Sequence, residues 1–161
     1  MPEPFHALTP ADLLPREQAA AMTGIEFLTG MLEGRLPAPP ITRTLNFRLH
    51  EVGPGRVEFR GVPGFEVMNP IGTVHGGWYG TLLDSCMACA VMSRLERGQA
   101  YTTLEFKVNI IRPIPLGLEV AAVGEVSHVG RSTGVAEGRL VGVADGRLFA
   151  TGSTTCLVMS V

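Results

Sequence analysis

The sequence has few cysteines, and their spacing excludes most of the chemistry that cysteine performs. Only three occur, Cys86, Cys89 and Cys156, and an odd number argues against a disulfide framework. Cys86 and Cys89 form a C-x-x-C pair, but it lies inside a predicted helix instead of at the helix N-terminus, where the dipole would activate a thiol. Without a second pair or nearby histidines it is also a poor zinc site. We therefore interpret these cysteines as small buried side chains.

The sequence also has little charge and no long apolar run. The net charge is −2 and no run of basic residues occurs, which argues against nucleic-acid binding. The N-terminal stretch "MPEPFHALTPADLLPREQ" lacks the features of a signal peptide, and no segment approaches about 18 apolar residues. We therefore expect a soluble, cytoplasmic protein. Hydrophobic residues make up 45% of the chain, enough for a core and a weak indication of buried subunit contacts.

The hydrophobic pattern predicts helix, two strands, a long central helix, then four strands. A helix is predicted over 17–33, and alternation in "ITRTLNFRLH" predicts a strand over 41–50. The central helix, predicted over 77–96 and stopped by Gly98, is apolar nearly all round. An antiparallel sheet curled around that helix, an α+β fold, would bury both. Lone glycines inside the later strands are expected to mark bends or bulges: Gly124, Gly138, Gly142 and Gly152.

The stretch "NPIGTVHGGWYGTLLDSCMACAVMS" carries the candidate chemistry. A helix that begins just after His75 offers unpaired N–H groups, and Gly76 and Gly77 let a ligand approach them. Such a terminus can hold a phosphate, a carboxylate or a developing oxyanion. Asp84 lies two turns further along among small and apolar residues, where its pKa should rise and make it a competent base or nucleophile. The plainer alternatives are a solvent-exposed aspartate, a capping histidine and glycines that serve only a turn.

This stretch, with the following "TTLEFKVNIIRPIPLG", resembles the hotdog-fold acyl-CoA thioesterases of the phenylacetate-pathway (PaaI) type. The resemblance covers about residues 41–161, so we expect a hotdog domain there and an N-terminal helical extension with linker over 1–40. In that family the loop Asn, the His, the following Gly and the helix Asp form the active site, with a Ser or Thr ten residues before a proline. The matching positions are Asn69, His75, Gly76, Asp84 and Thr103.

The resemblance also implies a mechanism. Family members are dimers that join their sheets, often paired again into tetramers, with the active site at the dimer interface. The Gly76 N–H of one subunit would polarise the thioester carbonyl. Asp84 of the other subunit would activate water as a general base or attack directly. His75 and Asn69 would position the carbonyl, the water or the leaving sulfur, and Thr103 would orient the water or hold Asp84. No metal or redox cofactor is implied.

The remaining candidates would bind the substrate. The phosphates of coenzyme A require cations, for which Arg112 and the Arg131-Ser132 turn are available, although an exposed Arg in a tight turn is ordinary. Gly77 would admit the substrate to the helix terminus. Trp78 and Leu83 could line the acyl pocket, or could equally be core or interface residues.

Two other functions stay open at this stage. A hotdog protein can hold an acyl-CoA without turnover, although a retained acid argues against a pure binder. A hotdog hydratase or dehydratase pairs an Asp with a His a few residues later, whereas here His75 precedes Asp84. The acyl group is left open, with aryl-acetyl, aroyl and medium-chain thioesters all compatible.

Overall fold

The computed structural model describes residues 5–161, so the first four residues of the expected extension lie outside the described part. Four α-helices, two short 3-10 helices and six strands make up the described part of the fold. The helices are α1 (Arg16–Ala20), α2 (Gly24–Leu32), α3 (Pro40–Thr44) and α4 (Gly76–Met92). The strands are β1 (Phe47–Gly53), β2 (Arg56–Gly61), β3 (Gln99–Ile110), β4 (Val120–Val129), β5 (Thr133–Gly142) and β6 (Leu148–Ser160).

The six strands form one antiparallel sheet, in the order β1-β2-β4-β5-β6-β3, that wraps around α4. Helix α4 is buried along most of its length and contacts β2, β3, β4, β5 and β6. The predicted fold class, a curved sheet around a long central helix with helices before it, is confirmed. Within residues 5–161, none of the helices combines the length and hydropathy needed to cross a bilayer.

Three glycines in neighbouring strands let α4 approach the sheet closely. Gly124, Gly138 and Gly152 pair with one another in regular register across β4, β5 and β6. A Cβ on Gly124 would lie 2.3 Å from the Cys86 carbonyl oxygen, and one on Gly138 would lie 2.8 Å from Met87 Cγ. None of these three glycines lies at a bulge, because the register is regular at each of them, and at Gly124 and Gly138 the missing side chain leaves room for the helix.

The predicted strand over 41–50 is half correct. Residues Pro40–Thr44 form α3, and the strand begins only at Phe47. Pro39 and Pro40 pre-set the first helical turn, and the hydroxyls of Thr42 and Thr44 donate to the carbonyls of Pro39 and Pro40 at 2.7 and 3.2 Å. These local contacts override the alternation of apolar side chains.

The helix predicted over 17–33 is two helices, α1 and α2. Thr23 separates them because it caps α2: its N–H donates to Glu26 Oε2 at 2.8 Å, and its Oγ1 accepts from the Glu26 N–H at 3.3 Å. This reciprocal pair is a capping box, which begins a new helix.

Strand β3 lies at an edge of the sheet and carries exposed apolar side chains. Leu104, Phe106 and Ile110 are 59%, 45% and 51% exposed. The β3–β6 register shifts between Thr103 and Glu105, which leaves Leu104 as an extra residue in a bulge. A long apolar edge of this kind is a template for pairing with another chain.

Candidate active site

The loop before α4 is held together by the side chain of Asn69. Its Oδ1 accepts hydrogen bonds from the N–H groups of Ile71 and Thr73, both at 3.1 Å, and its Nδ2 donates to Thr73 Oγ1 at 2.7 Å. Asn69 therefore sets the shape of the loop that leads into the helix.

His75 is the N-cap of α4 and leaves one N–H free beside it. Its Nδ1 accepts from the Gly77 N–H at 2.9 Å, and its carbonyl accepts from the Trp78 N–H at 3.0 Å. The neutral imidazole then carries its proton on Nε2. Within residues 5–161 the exposed Gly76 N–H has no acceptor, so it is the open donor at the positive end of the helix dipole.

Gly76 lines a surface cavity of about 320 Å³, together with residues that include Asn69, Ile110 and Arg112. Tyr79 also lines it, donating to the Arg112 carbonyl at 3.2 Å and accepting from the Ile114 N–H at 2.8 Å. Tyr79 thus ties the segment after β3 to the helix. Sequence reasoning missed it, and its position four residues after His75 was the one available signal.

Asp84 and Thr103 form the second half of the candidate site. The Thr103 hydroxyl donates to Asp84 Oδ1 at 3.1 Å. Burial raises the pKa of the half-buried Asp84 carboxyl above its usual value, and the Thr103 hydrogen bond partly opposes that rise. A carboxylate in this setting is a stronger base than one in water.

The two halves are too far apart on one chain to act on one carbonyl. Asp84 lies eight residues after Gly76 in the same helix, which corresponds to about 12 Å at 1.5 Å per residue. A group that contacts both must receive the N–H and the carboxylate from different copies of the helix.

Three predicted substrate-binding residues of α4, namely Trp78, Leu83 and Gly77, receive less support from the structure. Trp78 and Leu83 are 2% and 0% exposed, and the Trp78 indole N–H donates to the Leu45 carbonyl at 2.8 Å. Both are core residues, so the structure does not support the prediction that they bind substrate. The Gly77 N–H is already used by His75, so Gly77 admits a ligand only through its missing side chain.

The two candidate cation sites lie at opposite ends of the sheet. Arg112 borders the cavity at Gly76, with Nη1 donating to the Leu148 carbonyl at 2.7 Å. Arg131 and Ser132 lie in the exposed β4–β5 turn, where the Ser132 carbonyl accepts from Val158 N–H near the end of β6. A single chain does not bring them together.

Burial leaves the C-x-x-C thiols in their protonated form. It raises the pKa of Cys89 to about 12 and that of Cys86 well above its usual value. Neither thiol is a nucleophile near neutral pH, which agrees with their interpretation as small core side chains. Among residues 5–161, no three His, Cys, Asp or Glu side chains cluster as metal ligands.

Proteins of known structure are similar to this chain in sequence and architecture. The model of the thioesterase superfamily matches residues 71–148. A thioesterase family protein from Silicibacter pomeroyi is 32% identical, with 76% of this chain and 90% of that chain covered and a TM-score of 0.70. A phenylacetic acid degradation-related protein from Ralstonia eutropha JMP134 is 31% identical, with 81% and 98% covered and a TM-score of 0.74.

A thioesterase protein from Streptococcus pneumoniae TIGR4, crystallised with coenzyme A, is 25% identical, with 71% of this chain and 87% of that chain covered and a TM-score of 0.65. Comparison with curated proteins gives no match. The matches to solved thioesterases extend over nearly the whole length of those proteins and include the loop and helix described above. The chain therefore belongs to the thioesterase superfamily and is a hotdog-fold thioester hydrolase of the phenylacetate-pathway type.

Proposed function

We propose that the protein hydrolyses acyl-coenzyme A thioesters to the free acid and coenzyme A at a site shared by two subunits. In this proposal the Gly76 N–H of one subunit polarises the thioester carbonyl, and Asp84 of the other delivers the attack. The separation of about 12 Å along α4 between an open N–H and a carboxylate of raised pKa carries the proposal.

The exposed edge of β3 supports the dimer that this site requires. In the described sheet β3 pairs only with β6, and its long free edge is flanked by the exposed apolar side chains of Leu104, Phe106 and Ile110. Antiparallel pairing of two β3 strands about a two-fold axis would bury that edge and set two α4 helices side by side in opposite directions. Each Asp84 could then face the helix N-terminus of the other subunit. A second pairing into tetramers stays a prediction, as does a cytoplasmic location.

The proposed reaction uses groups with complementary tasks. The Gly76 N–H stabilises negative charge on the carbonyl oxygen as the tetrahedral intermediate forms. As a general base, Asp84 takes a proton from water while the water oxygen bonds to the carbonyl carbon; as a nucleophile, it first forms an anhydride that water then opens. The C–S bond breaks, and the thiolate of coenzyme A takes up a proton. His75 Nε2–H is a donor for the carbonyl or the leaving sulfur.

The coenzyme A part of the substrate is supported by chemistry and by one relative. The Streptococcus pneumoniae thioesterase was crystallised with coenzyme A. Arg112 borders the cavity at Gly76, where a guanidinium can pair with a phosphate. Arg131 and Ser132 could reach the same ligand only from the other end of a sheet, and we retain them as candidates on a partner subunit.

A thiol-release assay tests the proposal. Purified protein is mixed with a dozen aryl and straight-chain acyl-CoAs and a thiol-trapping reagent. We expect release of coenzyme A from at least one, and a loss of at least about a hundredfold in kcat for Asp84→Asn. Asp145→Asn, in the exposed β5–β6 turn, is the matched control and should leave turnover unchanged. Tight binding without any thiol release would instead support a non-catalytic acyl-CoA binder.

A further inference from the structure

A second cavity, of about 180 Å³, lies between the N-terminal extension and the far end of α4, away from the Gly76 cavity. Its lining is mostly apolar and includes Ala20, Phe27, Met92, Leu95 and Tyr101. We name it the extension pocket. The proposed mechanism does not use it, and residues on both sides of the boundary between extension and hotdog domain build it.

The walls of the extension pocket are firmly docked. The Gly24 N–H donates to the Leu95 carbonyl at 3.0 Å, and the Gly98 N–H donates to the Ala20 carbonyl at 2.8 Å. A Cβ on Gly24 would lie 1.7 Å from the Met92 carbonyl oxygen, so only glycine lets α2 rest on the end of α4 at this distance. The extension is thus a fitted wall of the pocket, held by backbone hydrogen bonds to the hotdog domain.

The extension pocket lies in line with Asp84. On α4, Asp84, Ala88 and Met92 follow at intervals of four, so each is the surface neighbour of the next, and Met92 lines the pocket. On β3, Tyr101 lines the pocket and lies two residues before Thr103, on the same side of the strand. The Tyr101 hydroxyl and the Cys89 thiol lie near each other, and the charge of the Asp84 carboxylate contributes to the raised pKa of both groups.

We propose that the extension pocket receives the distal carbons of a medium-chain acyl group whose carbonyl is held at Asp84. This inference rests on the proposed function and adds the substrate class to it. The pocket begins about 7 Å along β3 from Thr103, the partner of Asp84, at Tyr101, and about 12 Å along α4 from Asp84 at Met92. An extended hydrocarbon chain advances about 1.25 Å per carbon, so acyl groups of about eight to ten carbons reach into the pocket.

The volume of the extension pocket agrees with this length of acyl chain. An apolar cavity of about 150 Å³ accommodates a benzene ring, so 180 Å³ has room for the last two to four carbons of such a chain, those that extend beyond Tyr101. Acetyl, butyryl and benzoyl groups end before Tyr101 and gain nothing from the pocket. Each methylene that enters it should raise kcat/KM about fourfold.

Chain-length profiles of pocket variants test this inference. The wild-type protein and Ala20→Leu, which fills the pocket, are assayed on straight-chain acyl-CoAs from two to fourteen carbons. We expect a wild-type optimum at eight to ten carbons. In Ala20→Leu we expect an optimum about two carbons shorter, with at least about a tenfold loss on the ten-carbon substrate and less than about a twofold change on the four-carbon one. Ala144→Leu, in the exposed β5–β6 turn, is the control and should keep the wild-type profile.

A second variant protects the test if Ala20→Leu does not fold. Phe27→Ala enlarges the pocket and should move the optimum to longer chains. The inference is overturned if wild-type kcat/KM is flat beyond four carbons, or if a folded pocket variant changes every chain length by the same factor. No thiol release from any member of the series would overturn the proposed function together with this inference, whereas a flat profile with turnover would overturn this inference alone.

Discussion

The Thr103 hydroxyl donates to Asp84 Oδ1 at 3.1 Å. Thr103 is an odd-numbered residue of β3, whereas the residues further along the strand that face α4 are even-numbered. Phe106 and Ile110, both even-numbered, lie against Gly80 and Gly76 of α4, so uninterrupted alternation would direct Thr102 or Leu104 at the helix. The bulge at Leu104 inserts one extra residue into β3 and brings the odd-numbered Thr103 to face Asp84. The bulge is therefore part of the candidate site.

Thr103→Val should move the acid limb of the pH profile. Burial raises the pKa of Asp84, and the Thr103 hydrogen bond lowers it by favouring the charged form. Removal of the hydroxyl raises the pKa further, so a larger fraction of Asp84 is protonated and inactive at mildly acidic pH. The lower limb of kcat/KM against pH should shift to higher pH, with a loss on the order of tenfold in kcat.

Thr103→Ser keeps the hydroxyl and should keep the wild-type limb. A uniform loss in Thr103→Val at all pH values, with no shift of the limb, would contradict a role for Thr103 in holding the charged carboxylate.

Asp84→Asn should stabilise the fold near neutral pH. The folded pKa of Asp84 lies above its unfolded value, so the folded state binds more protons. The free energy of unfolding therefore falls as pH rises from the unfolded pKa through the folded one. Above both values the charged carboxylate disfavours folding, and the neutral amide removes that cost while its oxygen still accepts from Thr103.

Thermal unfolding at two pH values measures this effect. At pH 7 we expect Asp84→Asn to unfold a few degrees above wild type, at about 2–4 °C per kcal/mol for a chain of this size. The difference should vanish at a pH below the unfolded pKa, where Asp84 is neutral in both states. An equal gain at both pH values would point to packing instead of charge.

Element order and the wrapped helix were predictable because they depend on hydrophobic period, which is visible in one sequence. Local departures from the hydrophobic period could not be predicted. The bulge at Leu104 has no residue that announces it, since Thr, Leu and Glu follow one another as in any strand. Ile41, the first apolar residue of the alternation over 41–50, is 47% exposed, because two prolines and two threonine hydroxyls make a helix where the alternation predicts a strand.

The candidate site was predictable where backbone chemistry determines it. His75 and Gly76 could be assigned to a helix terminus because a capping side chain followed by glycines is a local signal. Trp78 and Leu83 could not be assigned, because an apolar residue in the first two turns of a buried helix serves a core or a pocket equally well. Which face of α4 meets Gly138 and Gly152 depends on residues about sixty positions away in the chain.

Gly76→Pro tests the open N–H directly. Proline lacks the donor but is favoured in the first position of a helix, and His75 already has the extended backbone, with φ −64° and ψ 138°, that precedes a proline. We expect kcat to fall by about a hundredfold or more, the loss typical of one oxyanion donor. Gly76→Ala is the matched control, because a Cβ there lies 3.3 Å from Ile110 Cδ1 and the N–H is kept.

Both variants place a Cβ against Ile110, so their difference reflects the replacement of the N–H donor by the proline ring. If Gly76→Ala loses as much activity as Gly76→Pro, the space at residue 76 matters and its N–H does not.

A mixed dimer separates a shared site from a site within one chain. Gly76→Pro and Asp84→Asn are each expected to be inactive alone. When the two chains are unfolded together and refolded, half of the dimers are mixed. In a shared-site dimer, one of the two sites then combines the intact Gly76 of the Asp84→Asn chain with the intact Asp84 of the Gly76→Pro chain. Activity should therefore return to about a quarter of the wild-type value.

If each chain instead formed its own site, every site in the mixture would lack one of the two groups and no activity would return. Wild-type chains refolded with Asp84→Asn chains provide the reference for refolding yield, because half of their sites are intact however the subunits pair. The separation of about 12 Å between Gly76 and Asp84 along α4 excludes simultaneous contact with one carbonyl inside a single chain. Recovery of activity in the mixed sample is therefore the expected result.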